Sequence, residues 1–158
     1  MANTQSMCTS FLSELMTATH NFGTAPTRGS GAADTFKAAL YLATGTRDAS
    51  TTAYSVTDEV SGAGYTAGGV VVTNATPPAN TNTSATAGVG YWTPSASIVY
   101  TGVTLTTAFD AMLMYNSTQS DKAVAVFTFG SQTITSGNFT LTMPSNTTST
   151  ALLRLSTT

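Results

Sequence analysis

The sequence predicts an all-β fold, an antiparallel β-sandwich of jelly-roll type with a short N-terminal helix or arm. Three observations carry this. Hydroxyl residues dominate, with 34 Thr and 17 Ser among 158 residues, and threonine, branched at Cβ and stiff at χ1, suits a pleated surface. From Thr35 onward apolar residues recur with a period of two. Turn residues separate these runs and no helical pattern lies between them, which disfavours parallel βαβ units. A chain of this length buries roughly 70% of its unfolded surface, enough for one core without staples.

Two segments are expected, residues 1–33 as an arm with a helix at about 10–20 and a loop, and residues 34–158 as the β-sandwich domain. Ser10 can cap the helix, Glu14 lies near its positive end, and Phe11, Leu12, Leu15 and Met16 share one face. So short a helix is marginal alone, so this face must dock on the domain or on another subunit. Asn21 to Ala33 has loop composition, with Gly23, Pro26, Gly29 and Gly31.

Strands follow at Thr35–Leu42, Ala53–Thr57, Gly69–Asn74, Ser97–Thr107, Ala111–Asn116, Ala123–Gly130, Asn138–Met143 and Ala151–Ser156. Phe139, Leu141 and Met143 alternate with Thr140 and Thr142, and Gly102 marks a bulge or bend. Asn74 to Gly90, rich in Thr, Asn, Pro and Ala, reads as a long loop that is either mobile or held by a partner.

Charge narrows the function. Only 8% of residues are charged and the net charge is −2, so there is no basic patch for phosphates and no nucleic-acid partner is expected. No apolar run approaches the ~20 residues that span a bilayer, so no membrane partner is expected either, and Met1 to His20 lacks the basic start of a secretory signal. With one His, one Cys and seven carboxylates, neither catalytic residues nor a metal or other cofactor is predicted.

Each motif has a plain structural explanation. The glycines at 62, 64, 68 and 69 lead into Val70, Val71 and Val72, a strand, with no Lys in the loop, so they mark turns and no phosphate cradle. Asp58 and Glu59 read as solvated loop carboxylates, since neighbouring strand residues point to opposite faces. His20 reads as a helix C-terminal residue and Cys8 as a small residue of the arm. A catalytic pairing of His20 as base with Cys8, Ser6, Ser10 or Ser13 lacks an orienting third group and an oxyanion site. Tyr91 and Trp92 read as core aromatics at a strand start, as an interface anchor or as a sugar-stacking platform.

The order of certain features resembles a family. These are the helix running into His20, Asn21, Phe22 and Gly23; the strand opening Asp34, Thr35, Phe36, Lys37, Ala38, Ala39 and Leu40; the loop Gly64 to Gly69; Met112 to Asn116; and Ala123 to Gly130. Together they resemble small virion proteins of tailed bacteriophages, of the capsid decoration or cement type, over most of the chain from Phe11 to Leu155. The stretches Thr24–Ala33 and Pro77–Ala87 are longer than that pattern.

The resemblance implies a non-enzymatic protein on the outer surface of the phage head, made in the bacterial cytoplasm. It would bind major capsid protein subunits where they meet, and other copies of itself as a dimer or trimer at a capsid symmetry axis. Binding the assembled shell and not its dispersed subunits would stabilise the particle. Phe11, Leu12, Leu15, Met16, Tyr65, Tyr91 and Trp92 are the expected interface residues. The competing expectations are a tail or head-to-tail adaptor or fibre component, and a carbohydrate-binding module stacking sugars on Tyr91, Trp92 or Tyr65.

Overall fold

In the computed structural model, residues 2–16, 18–22, 33–81 and 88–156 are described. In chain order they form β1 (Ser6–Met7), α1 (Thr9–Met16), β2 (Phe36–Leu42), β3 (Val70–Val71), β4 (Ala79–Asn80), β5 (Val89–Trp92), β6 (Ile98–Asn116), β7 (Lys122–Leu141) and β8 (Leu153–Ser156). Two antiparallel sheets result, one of five strands in the order β1-β7-β6-β2-β3 and one of three in the order β4-β5-β8.

The long hairpin of β6 and β7 organises the larger sheet. Residues 111–116 and 123–126, next to its turn, are buried without alternation, because both faces are covered there. Further from the turn the pattern changes: Val103, Leu105 and Phe109 are buried while Thr106, Thr107 and Ala108 are exposed. Large side chains fill the core, among them Phe36, Leu40, Tyr41, Tyr100, Phe109, Met112, Leu113 and Met114, each at most 1% exposed.

Four expected strands prove to be two. Ser97–Thr107 and Ala111–Asn116 merge into β6, and Ala123–Gly130 and Asn138–Met143 merge into β7. Residues 131–137 look like a loop because Ser, Thr and Gly dominate them, yet Gln132, Ile134 and Gly137 pair with Phe109, Leu105 and Val103. Register shifts absorb the irregularity. One falls between Tyr100 and Val103, where Gly102 has φ +64°, the bend its sequence position predicts.

Ala53–Thr57 is no strand. Ala53 makes a single bridge to Lys122, and the chain turns by Asp58, whose φ is +60°. The expected strand at 69–74 contracts to Val70–Val71, and Ala151–Ser156 to Leu153–Ser156. The tract at 74–90 is not wholly loop, since Ala79 and Asn80 pair with Tyr91 and Gly90; its residues 82–87 lie outside the described residues, as does most of the loop Thr24–Ala33.

The N-terminal segment is built into the sheet rather than extending from it. Ser6 and Met7 pair with Val126 and Ala125, while Cys8 and Phe11 are 0% and 2% exposed. The helix starts at Thr9 and ends at Met16, short of His20. Ser10 does not cap it: its buried hydroxyl has no hydrogen-bond partner. At the C-terminal end Thr19 N–H donates to Glu14 O and Ala18 takes φ +54°, the left-handed residue that stops the helix.

The glycine loop is a set of tight turns pressed on the sheet. Gly69 has φ +70°, and a Cβ there would lie 1.6 Å from the Ala38 carbonyl oxygen, so only glycine lets this backbone cross β2.

Candidate functional site

An apolar groove of about 320 Å³ runs between α1 and the three-stranded sheet. Phe11 and Leu15 of α1 form one wall, Tyr91 of β5 with Leu153 and Leu155 of β8 form another, and Phe22 and Trp92 also line it. The aromatic residues beneath are tightly interlocked. Phe22 stacks on Phe36 at 4.3 Å between ring centroids, Trp92 lies 4.7 Å from Phe22, and Phe11 meets His20 edge-on at 4.9 Å. Trp92, 3% exposed, donates its indole N–H to Thr76 O at 3.0 Å. Leu155 is 48% exposed, so the groove is open at its rim.

Four of the seven expected interface residues therefore share one site: Phe11, Leu15, Tyr91 and Trp92. Trp92 sits at the end of β5, not at a strand start, and serves as buried floor. Leu12 lies on α1 but outside the groove lining, with 47% of its surface exposed. The Met16 side chain lies outside the described residues. Tyr65 is elsewhere, in a polar cluster beside β2.

That cluster centres on Glu59, which is 8% exposed and not a solvated loop carboxylate; Asp58 beside it is exposed as expected. Tyr54 O–H donates to Glu59 Oε2 at 2.7 Å, and Tyr65 O–H and Gly68 N–H donate to Oε1 at 2.6 and 2.8 Å. Three donors satisfy a carboxylate that burial alone would destabilise. Tyr115 then donates to Gly68 O at 2.8 Å, and Tyr100 to Ala38 O at 2.8 Å. Burial, aided by the Glu59 carboxylate that accepts its hydroxyl, pushes the Tyr65 phenol far above its ordinary value, and burial does the same to Tyr100. The sequence signal for Glu59 is the pair of tyrosines at 54 and 65 and the Gly68 turn around it, which can be recognised only once folding has brought them together.

His20 occupies a second polar cluster, not a helix end. Its Nε2 lies 2.7 Å from Glu14 Oε2 and its Nδ1 lies 3.1 Å from Asn116 Nδ2. The Asn116 amide group also donates to Asp34 Oδ2 at 2.7 Å, while its oxygen accepts the Thr118 and Gln119 N–H groups. These bonds orient the amide, so Nδ1 accepts and Nε2–H donates to Glu14. Burial works to raise the Glu14 carboxyl, but hydrogen bonds from Lys122, at 2.7 Å, and His20 hold it below the usual range. Burial pushes the Cys8 thiol up to about 12, which keeps it protonated and unreactive at neutral pH.

These polar side chains are bound to one another and tie α1 to the hairpin turn. Among the described residues no group of three His, Cys, Asp or Glu is placed to hold a metal ion, and no helix is long and apolar enough to cross a membrane. Comparison with protein-family models, with curated proteins and with solved structures gave no match.

Proposed function

We propose that this chain is a non-enzymatic structural protein of a tailed-bacteriophage virion, bound to the outer capsid shell between major capsid protein subunits and stabilising the head. One observation carries the reading: the open apolar groove between α1 and the three-stranded sheet gathers Phe11, Leu15, Tyr91 and Trp92 beside half-exposed Leu155. A groove with an aromatic floor and an apolar rim suits an apolar side chain of a partner subunit. A surface with so few charges and so many hydroxyls suits broad neutral contacts, which icosahedral repetition makes strong through avidity. In this reading the two antiparallel sheets are the layers of a jelly-roll-type sandwich, and copies associate at a capsid symmetry axis.

The test is rebinding to heads stripped of this protein. The wild-type chain should saturate the shell, and Leu155→Glu, which sets a charge on the groove rim at an exposed position, should weaken occupancy about tenfold or more while leaving the melting temperature unchanged. Equal occupancy by the variant would remove the groove as the contact. Copy number per particle separates head from tail: a dozen or fewer copies would place the chain in the tail or the head-to-tail connection.

A further inference from the structure

β8 is the last strand in the order β4-β5-β8, so one of its edges pairs with β5 and the other carries backbone N–H and C=O groups with no strand beside them. Its side chains alternate between two recesses. Leu153 and Leu155 line the apolar groove, while Arg154 and Ser156 line a recess of about 340 Å³ on the opposite face. Met7 lines both, so the two recesses meet around the open edge of β8. Unlike the groove floor, this edge is accessible: Leu155 is 48% exposed, and Arg154 and Ser156 are exposed as well.

Charge decides what can occupy the edge. Arg154 is the only charged residue of these three strands, and the sequence has none from Ala123 to Leu153. Its Nη1 donates to Thr148 O at 3.2 Å and to Ser149 O at 2.6 Å, which anchors the guanidinium beside the strand. Among the described residues no carboxylate pairs with it, and its Nε and Nη2 groups have no acceptor. A second copy pairing β8 on β8 in antiparallel fashion would bring the two Arg154 side chains together, which like charge disfavours. A strand with a carboxylate at the facing position gains charge-assisted hydrogen bonds instead. The guanidinium thus closes the edge to a copy of this chain and opens it to an acidic strand.

We propose that β8 accepts an extended segment of another protein as a fourth strand, with an Asp or Glu facing Arg154 and apolar residues on either side of it facing Leu153 and Leu155. Backbone hydrogen bonds supply the general part of the affinity, and the alternating side chains supply the selectivity. The inference rests on the groove being a protein contact and names the kind of segment that enters it.

The full chain, labelled with nitrogen-15, is titrated with the peptide acetyl-Thr-Leu-Asp-Leu-Thr-amide to roughly 10 mM, a range that detects millimolar affinity. Saturable shifts should appear at the amides of Arg154 and Leu155, and hydrogen exchange along β8 should slow as its edge amides gain acceptors. The peptide acetyl-Thr-Leu-Lys-Leu-Thr-amide should bind about tenfold or more weakly, because attraction becomes repulsion. Arg154→Gln, at an exposed position, should bring the two peptides to within about twofold of each other. The proposal is overturned if the Asp peptide gives no saturable shift, meaning that Arg154 only guards the edge, if both peptides bind the wild-type chain alike, or if exchange along β8 does not slow. Shifts in β8 that grow with protein concentration alone would mean a second copy, and would overturn it too. Failure of the peptides while Leu155→Glu still weakens rebinding to heads removes this inference and leaves the proposed function standing. Peptide binding as expected, with rebinding to heads indifferent to Leu155→Glu, does the reverse.

Discussion

Tyr65 and Glu59 are joined by a 2.6 Å hydrogen bond, and the same tyrosine oxygen accepts the Leu40 N–H at 3.0 Å. One phenol thus links the glycine loop, the buried carboxylate and the backbone of β2. The arrangement makes the loop part of the core, although its composition is that of a surface turn.

Removing that one oxygen should be costly. Tyr65→Phe keeps the ring but leaves the fully buried Leu40 N–H without its acceptor and Glu59 with one donor fewer. The expected loss is about 1–3 kcal/mol, read from the midpoint of urea unfolding at unchanged slope. A loss below about 0.5 kcal/mol, the range of an ordinary surface substitution, would show that the cluster does not hold the loop.

Alkaline pH should unfold the chain in a predictable window. Burial raises the phenols of Tyr41, Tyr65 and Tyr100 above their ordinary value of 10.0, and the Cys8 thiol from 9.0 to about 12. A raised folded value means that the folded state keeps protons the unfolded chain releases. Their contribution is fully present below pH 9 and is lost as pH rises, first for Cys8 between 9 and 12, then for the tyrosines above 10. The slope is at most about 1.4 kcal/mol per pH unit for each such group. Urea midpoints across this range, followed alongside phenolate absorbance, should fall together as the phenols ionise. A stability that stays flat well above pH 10 would contradict the burial of these groups.

Two neighbours on α1 should behave oppositely. Phe11, 2% exposed and in edge contact with His20 and Phe22, should cost about 3–5 kcal/mol as Phe11→Ala. Leu12, 47% exposed, should change stability by no more than about 0.5 kcal/mol as Leu12→Ala. Thermal melting of both variants decides this. Equal and small effects would mean that the N-terminal segment is an arm after all.

Much of the fold was legible because it is local. Period-two alternation marked β2 and most of β6 and β7, and Gly102 marked the bend in β6. What failed was also physical. Residues 131–137 carry turn composition but pair because β6 lies beside them, so a non-local partner overrides local preference. The groove residues on α1 and β5 were individually visible as apolar or aromatic, but nothing in their spacing showed that Phe11 and Tyr91 line one site.

By itself, then, the sequence determined a β-rich chain with few charges, since hydroxyl composition and strand periodicity depend only on neighbours along the backbone. The tertiary structure decided the rest. It turned Glu59 from a loop carboxylate into a buried hub, His20 from a helix end into a bonded core residue, and the N-terminal segment into an edge of the sheet. In each case the partners come from segments remote in sequence or from turns whose path the sheet dictates, and a polar group is stable in the interior only where folding delivers its hydrogen-bond partners.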